Sequence, residues 1–154
     1  MVNFFEIACN EAEQGMLSGE GGPFGAVVVK DGKVIGKGHN MVLSSNDSTA
    51  HAEITAIRQA ELKNGSYDLS GCELYTTCYP CPMCLGAIMW ARISKVHYGC
   101  TAEEAAAIGF DDKIFYEAFS SPHSNRFVSL EHHDNNQCRS LFRKWLDLDN
   151  RVLY

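Results

Sequence analysis

The chain has 154 residues, of which 45% are hydrophobic and 21% charged, with a formal net charge of −6. This length fits one ordinary globular domain, read as a single domain over 1–154. The acidic balance offers no general attraction for a phosphate backbone and argues against a nucleic-acid partner, and no segment approaches the roughly 20 apolar residues that a membrane span needs.

The first residues, Met1-Val2-Asn3-Phe4-Phe5-Glu6, lack the basic start and apolar run of a secretory signal, so the expected location is cytoplasmic. Phe5, Ala8, Ala12 and Met16 recur at helical spacing and predict a helix over 3–17, ended by Gly19, Gly21 and Gly22. The valine-rich stretch 24–30 reads as a buried strand, Asp31-Gly32 as a two-residue hairpin turn, and 33–39 as the returning strand. Residues 40–50 form a polar loop in which Thr49 is placed to cap a helix over 51–63, and Asn64-Gly65 ends that helix. A short strand follows over 73–77, then a helix opening at 80–84 and running to 91, a strand over 93–99 and a helix over 103–108 ended by Gly109. The stretch 110–125 has no clear period. Residues 127–131 predict a fifth strand and 141–148 a last helix, with 150–154 as a tail. Helices alternating with strands point to a three-layer αβα domain around a mixed, roughly five-stranded sheet. The hairpin pair is antiparallel and the later strands, joined through helices, are parallel.

Seven cysteines are many for this length. In a reducing compartment, a close pair is expected to bind metal or do chemistry. His51, Cys81 and Cys84 together supply the nitrogen and sulfur donors of a catalytic zinc site, which takes three protein ligands and keeps one position open. Cys81 and Cys84 are three residues apart at the start of a helix, where free N–H groups favour the thiolate. Glu53, two residues after His51, is a carboxylate able to move the protons of a metal-activated water. The competing reading is a closed structural zinc module with Cys78 as fourth ligand. Cys9, Cys72, Cys100 and Cys138 read as small buried hydrophobes. His132-His133 reads as surface, and His39, His97 and His123 as structural.

His51-Ala52-Glu53 followed by Pro80-Cys81-Pro82-Met83-Cys84 is the pattern of zinc deaminases. The segments Asn46-Asp47-Ser48-Thr49-Ala50-His51-Ala52-Glu53, Cys81-Pro82-Met83-Cys84-Leu85-Gly86-Ala87-Ile88, Trp90-Ala91-Arg92 and Gly109-Phe110-Asp111-Asp112 resemble those of bacterial guanine deaminases of the cytidine-deaminase superfamily. The first three are shared with tRNA adenosine deaminases and cytosine deaminases, which stand as alternatives, and the last is the more discriminating. The resemblance covers nearly the whole chain. It implies one zinc ion per subunit held by His51, Cys81 and Cys84, with Glu53 as proton shuttle. It also implies that Asn40 hydrogen-bonds the purine, that Phe24 and Trp90 pack on its ring, and that Asp112 binds the guanine edge. It further implies a homodimer with exchanged C-terminal segments, in which Tyr154 completes the partner's pocket. Tyr79 departs from the pattern, since many relatives carry glutamate there.

Overall fold

Strand β1 (Gly25–Lys30) reads Gly-Ala-Val-Val-Val-Lys, and its first five residues are all buried. Such an unbroken apolar run suits a strand covered on both faces, and in the computed structural model, which describes residues 2–120 and 127–154, β1 lies inside the sheet. It pairs antiparallel with β2 (Lys33–His39) through Asp31 and Gly32, whose φ values of 49° and 72° are what a tight hairpin turn requires. Its other edge pairs antiparallel with β3 (Glu73–Cys78), and β3 runs parallel to β4 (Lys95–Cys100). The order is β2-β1-β3-β4, so β1 alone runs against the other three.

Alternate residues of β1 feed two cores. Val27 and Val29 pack under helix α1 (Phe4–Leu17), with Ala8, Phe4, Ile7 and Tyr75. Ala26 and Val28 join Leu74 beneath α3 (Ala52–Asn64) and α4 (Pro82–Trp90), against Ala52, Ala56, Ile57, Ala60 and Ile88. The result is the expected three-layer αβα arrangement. Two glycines set how closely the layers approach. A Cβ on Gly25 would stand 2.0 Å from the Ala8 carbonyl oxygen of α1, and one on Gly36 would stand 2.3 Å from that of Ala56 in α3. Only a residue without a side chain lets strand and helix backbones touch in this way.

Between β2 and α3 lies a single turn of helix, α2 (Val42–Ser45). After β4 comes α5 (Ala102–Ala107), opened by a reciprocal cap between Thr101 and Glu104. Helix α6 (Lys113–Ser120) occupies part of the stretch that has no readable period. The chain divides into two compact units, Met1–Glu117 and Ala118–Tyr154. In the second, α7 (Asn136–Leu146) starts earlier than its predicted 141, because the Asn135 side chain accepts the N–H groups of Gln137 and Cys138.

The expected fifth strand over 127–131 is absent, and the sheet of the described residues has four strands. All five of these residues are exposed. Exposed on all sides, these residues have no packed face of the kind that favours a strand. His123 and residues 121–125 of the unread stretch lie outside the described residues. Among the described residues, no helix is long and apolar enough to cross a membrane.

Candidate active site

Two helices on the same face of the sheet begin at one point. His51 is the N-cap residue of α3 and Cys81 that of α4, both with extended backbone. Pro82 occupies the first turn of α4, where its missing N–H is no loss, and the Cys84 N–H donates to the Cys81 sulfur at 3.5 Å. His51 Nδ1 lies 3.5 Å from the sulfur of Cys81 and 3.5 Å from that of Cys84. All three donor atoms fall within 4.8 Å of one another.

The loop that delivers His51 is built differently from expectation. The Thr49 hydroxyl donates to Asp47 at 2.6 Å, as its N–H does at 2.8 Å, and His51 has no side-chain cap bond. Asp47 lies two residues upstream and captures the hydroxyl in a local turn, so Thr49 is not the cap. The Met41 N–H donating to the Ala50 carbonyl at 2.9 Å closes this loop and aims His51 at α4.

The charges of the three donors are coupled. The hydrogen bond with Cys84 pulls the Cys81 thiol well below its ordinary range and pushes that of Cys84 up, and the bond with Cys81 raises His51. One imidazole and two sulfurs, one already favouring the thiolate, match the donor preference of zinc. Cys78 does not join them. Its thiol donates to the Thr101 carbonyl oxygen at 3.6 Å, and burial pushes it up to about 11, so it stays protonated. Among the described residues the donor set is therefore three, which leaves one position for water or substrate.

Glu53, on the first turn of α3, is 6% exposed. Its carboxylate accepts the Thr76 hydroxyl at 3.2 Å and the Cys84 thiol at 3.4 Å. Burial raises its pKa, which makes it more ready to hold a proton. Thr76 is a site residue that the sequence does not reveal, since a buried β-branched residue in a strand reads as core.

A cavity of about 610 Å³ opens beside these groups. Phe24, Asn40, His51, Glu53, Cys81 and Asp112 all line it. The Phe24 ring stands edge-on to that of Phe110, with centroids 4.9 Å apart, and forms an apolar wall. Asp112 is half-buried, and that burial raises its pKa. Tyr79 lines the same cavity and meets Tyr98 and Tyr116 edge-on. Trp90, at the end of α4, is 67% exposed and is not among the lining residues. Tyr154 belongs to the second unit and is exposed.

Residues 2–100 match the family described as the cytidine and deoxycytidylate deaminase zinc-binding region. The chain is 46% identical over 151 residues to the guanine deaminase of Bacillus subtilis (strain 168), covering 98% of this chain and 97% of that one. It is 33% identical over 151 residues to the tRNA-specific adenosine deaminase of Aquifex aeolicus (strain VF5), covering 97% of each. An X-ray structure of guanine deaminase from Bacillus subtilis superposes with a TM-score of 0.93 at 46% identity, covering 98% of this chain and 96% of that one.

Proposed function

The chain belongs to the cytidine and deoxycytidylate deaminase family of zinc-dependent hydrolases, and on that premise we propose that it deaminates guanine to xanthine and ammonia, a reaction of purine breakdown. The observation that carries this reading is the shared cavity, lined by Asp112 and Asn40 together with Glu53, His51 and Cys81. Guanine presents a ring N–H and an amino group on one edge, and a carboxylate is a fitting acceptor for both. Phe24 offers a flat apolar surface to the rings. The relatives cover nearly the whole chain, so we take 1–154 as one deaminase unit.

His51, Cys81 and Cys84 would hold the zinc. When bound, the ion lowers the pKa of water and so supplies a nucleophile at neutral pH. Glu53 takes the proton that the water gives up. Its burial favours the protonated form once the proton has arrived, and Thr76 keeps one oxygen aligned. The oxygen of water forms a bond to the ring carbon bearing the amino group. Glu53 then delivers a proton to the adjacent ring nitrogen and moves the next proton to the departing amine. Guanine and water become xanthine and ammonia, and Glu53 returns to its starting state.

Asp112→Ala is expected to lower kcat/KM for guanine about 10²-fold or more, since each hydrogen bond to a charged group contributes about 1.5–3 kcal/mol. Zinc content stays at the parent level. Ammonia release from guanine, cytosine, adenine and a tRNA anticodon stem-loop reads the outcome. Undiminished guanine turnover would remove the substrate assignment, and turnover of the stem-loop in place of guanine would favour the tRNA reading. The net charge of −6 speaks against that reading.

The active assembly in this proposal is a homodimer with exchanged C-terminal segments, in which Tyr154 reaches the partner's cavity and Trp90 packs on the ring. Supporting it, α7 presents Leu141, Phe142, Trp145 and Leu146 to solvent, an apolar stripe that a second copy can cover. Deleting residues 152–154 is expected to raise KM for guanine about tenfold or more, with zinc retained, given that one base stacked on an aromatic ring gains roughly 1–3 kcal/mol. Kinetics equal to those of the intact chain would refute the role of the tail. Free thiols at Cys81 and Cys84 suit a reducing surrounding, which supports a cytoplasmic enzyme.

A further inference from the structure

His39, at the end of β2, is part of a charged cluster that the deaminase chemistry leaves unused. Its Nε2 lies 2.6 Å from a carboxylate oxygen of Glu20, and its Nδ1 lies 3.4 Å from one of Glu11. Glu11 also pairs with Lys37 at 2.7 Å. Each contact places a carboxylate oxygen, an acceptor, within reach of a ring nitrogen. The ring is pressed against α1, where a Cβ on Gly15 would stand 2.3 Å from its Cδ2 atom. The histidine side chain is only 14% exposed, so these bonds are shielded from water and stronger than surface pairs.

One partner of His39, Glu20, ties together the two segments that wall the cavity. Glu20 sits on the connection between α1 and β1, next to Gly21 and Gly22, which line the cavity. Its backbone carbonyl accepts the N–H groups of Leu43 and Ser44, at 3.0 and 3.1 Å, and so carries the start of α2. A Cβ on Gly21 would stand 2.1 Å from the Asn40 side-chain oxygen, so this connection presses directly on Asn40. Asn40 in turn donates its N–H to the Phe24 carbonyl at 3.1 Å, and its side-chain oxygen accepts the Val42 N–H at 3.1 Å.

We propose that His39 is a positioning residue for substrate binding: clamped between Glu11 and Glu20, it holds residues 19–24 against residues 40–44 and so fixes Asn40 and the adjoining cavity wall. This rests on the reading of that cavity as the substrate site. The charged groups facing His39 are Glu11 from α1, Glu20 from the connection and, behind Glu11, Lys37 from β2. The residues that would hold zinc, and Glu53, lie outside the clamp, so its loss acts on KM and spares kcat.

The test uses the full-length zinc-loaded protein with His39→Ala and Glu20→Gln. Each variant is expected to raise KM for guanine about tenfold, which is the low end for losing a hydrogen bond to a charged group. Their kcat stays within about twofold of the parent and zinc is unchanged. The double variant is no worse than the more affected single one, because both break the same clamp. Amide exchange at Leu43 and Ser44 is expected to be faster by a similar factor in both variants. Parental KM and exchange rates in both variants would overturn the proposal, as would a joint fall of kcat and zinc content. If His39→Ala fails to fold, Glu20→Gln decides alone. If the parent releases no ammonia from guanine, the functional reading falls, and the exchange rates at Leu43 and Ser44 still decide the clamp.

Discussion

Glu53→Gln is expected to keep its zinc and lose about 10²–10⁴-fold in kcat, the range for a positioned general acid–base group. Glutamine preserves the shape of Glu53 and can still accept the Thr76 hydroxyl, so the fold around α3 is undisturbed. It cannot take up a proton, and the water then has no acceptor. The same variant removes a buried carboxylate whose pKa burial has raised. A group raised in this way favours folding below its unfolded pKa and loses that contribution as pH rises through the folded value. The variant is therefore expected to be at least as stable as the parent at neutral pH, so lost turnover cannot be attributed to unfolding. Metal analysis, thermal unfolding and ammonia release on one preparation separate these effects, and parental turnover would end the proton-shuttle role.

Cys84→Ala is expected to abolish both zinc retention and turnover, whereas Cys78→Ser leaves both in place. Two ligands cannot replace three. Even the groups that merely support a ligand contribute about 10- to 100-fold to metal affinity, and a ligand itself contributes more. Cys78 is three residues upstream of Cys81 and lines the same cavity, yet its thiol points to Thr101 and remains protonated. Zinc content after dialysis against a weak chelator reads both variants. Loss of zinc from Cys78→Ser would mean a closed four-ligand site and would overturn the catalytic one.

The clustering of His51, Cys81 and Cys84 was legible because the chemistry expected of them constrains their spacing. Cys81 and Cys84 share the start of α4, and Glu53 follows His51 onto the first turn of α3, so each pair arrives together. The hairpin was legible for a similar reason, since Asp31-Gly32 is among the few pairs that tolerate its backbone. Thr76 was hidden because it reaches the site from a strand twenty-three residues away, with no local pattern to mark it. Thr49 misled because a hydroxyl can serve either a helix end or a nearby carboxylate, and Asp47 is the better acceptor. The strand predicted over 127–131 rested on a short apolar segment, and composition alone does not say whether such a segment is buried.

The meeting of two helix starts also matters for the mechanical integrity of the domain. His51 and Cys81 are thirty residues apart in sequence, and everything between them, α3 and β3 included, becomes a closed ring once a single ion is held from both sides. A tether across such a ring restricts the unfolded chain far more than the folded one. The catalytic centre is thereby also a cross-link, and the enzyme is expected to be at its most rugged only when it is ready to work.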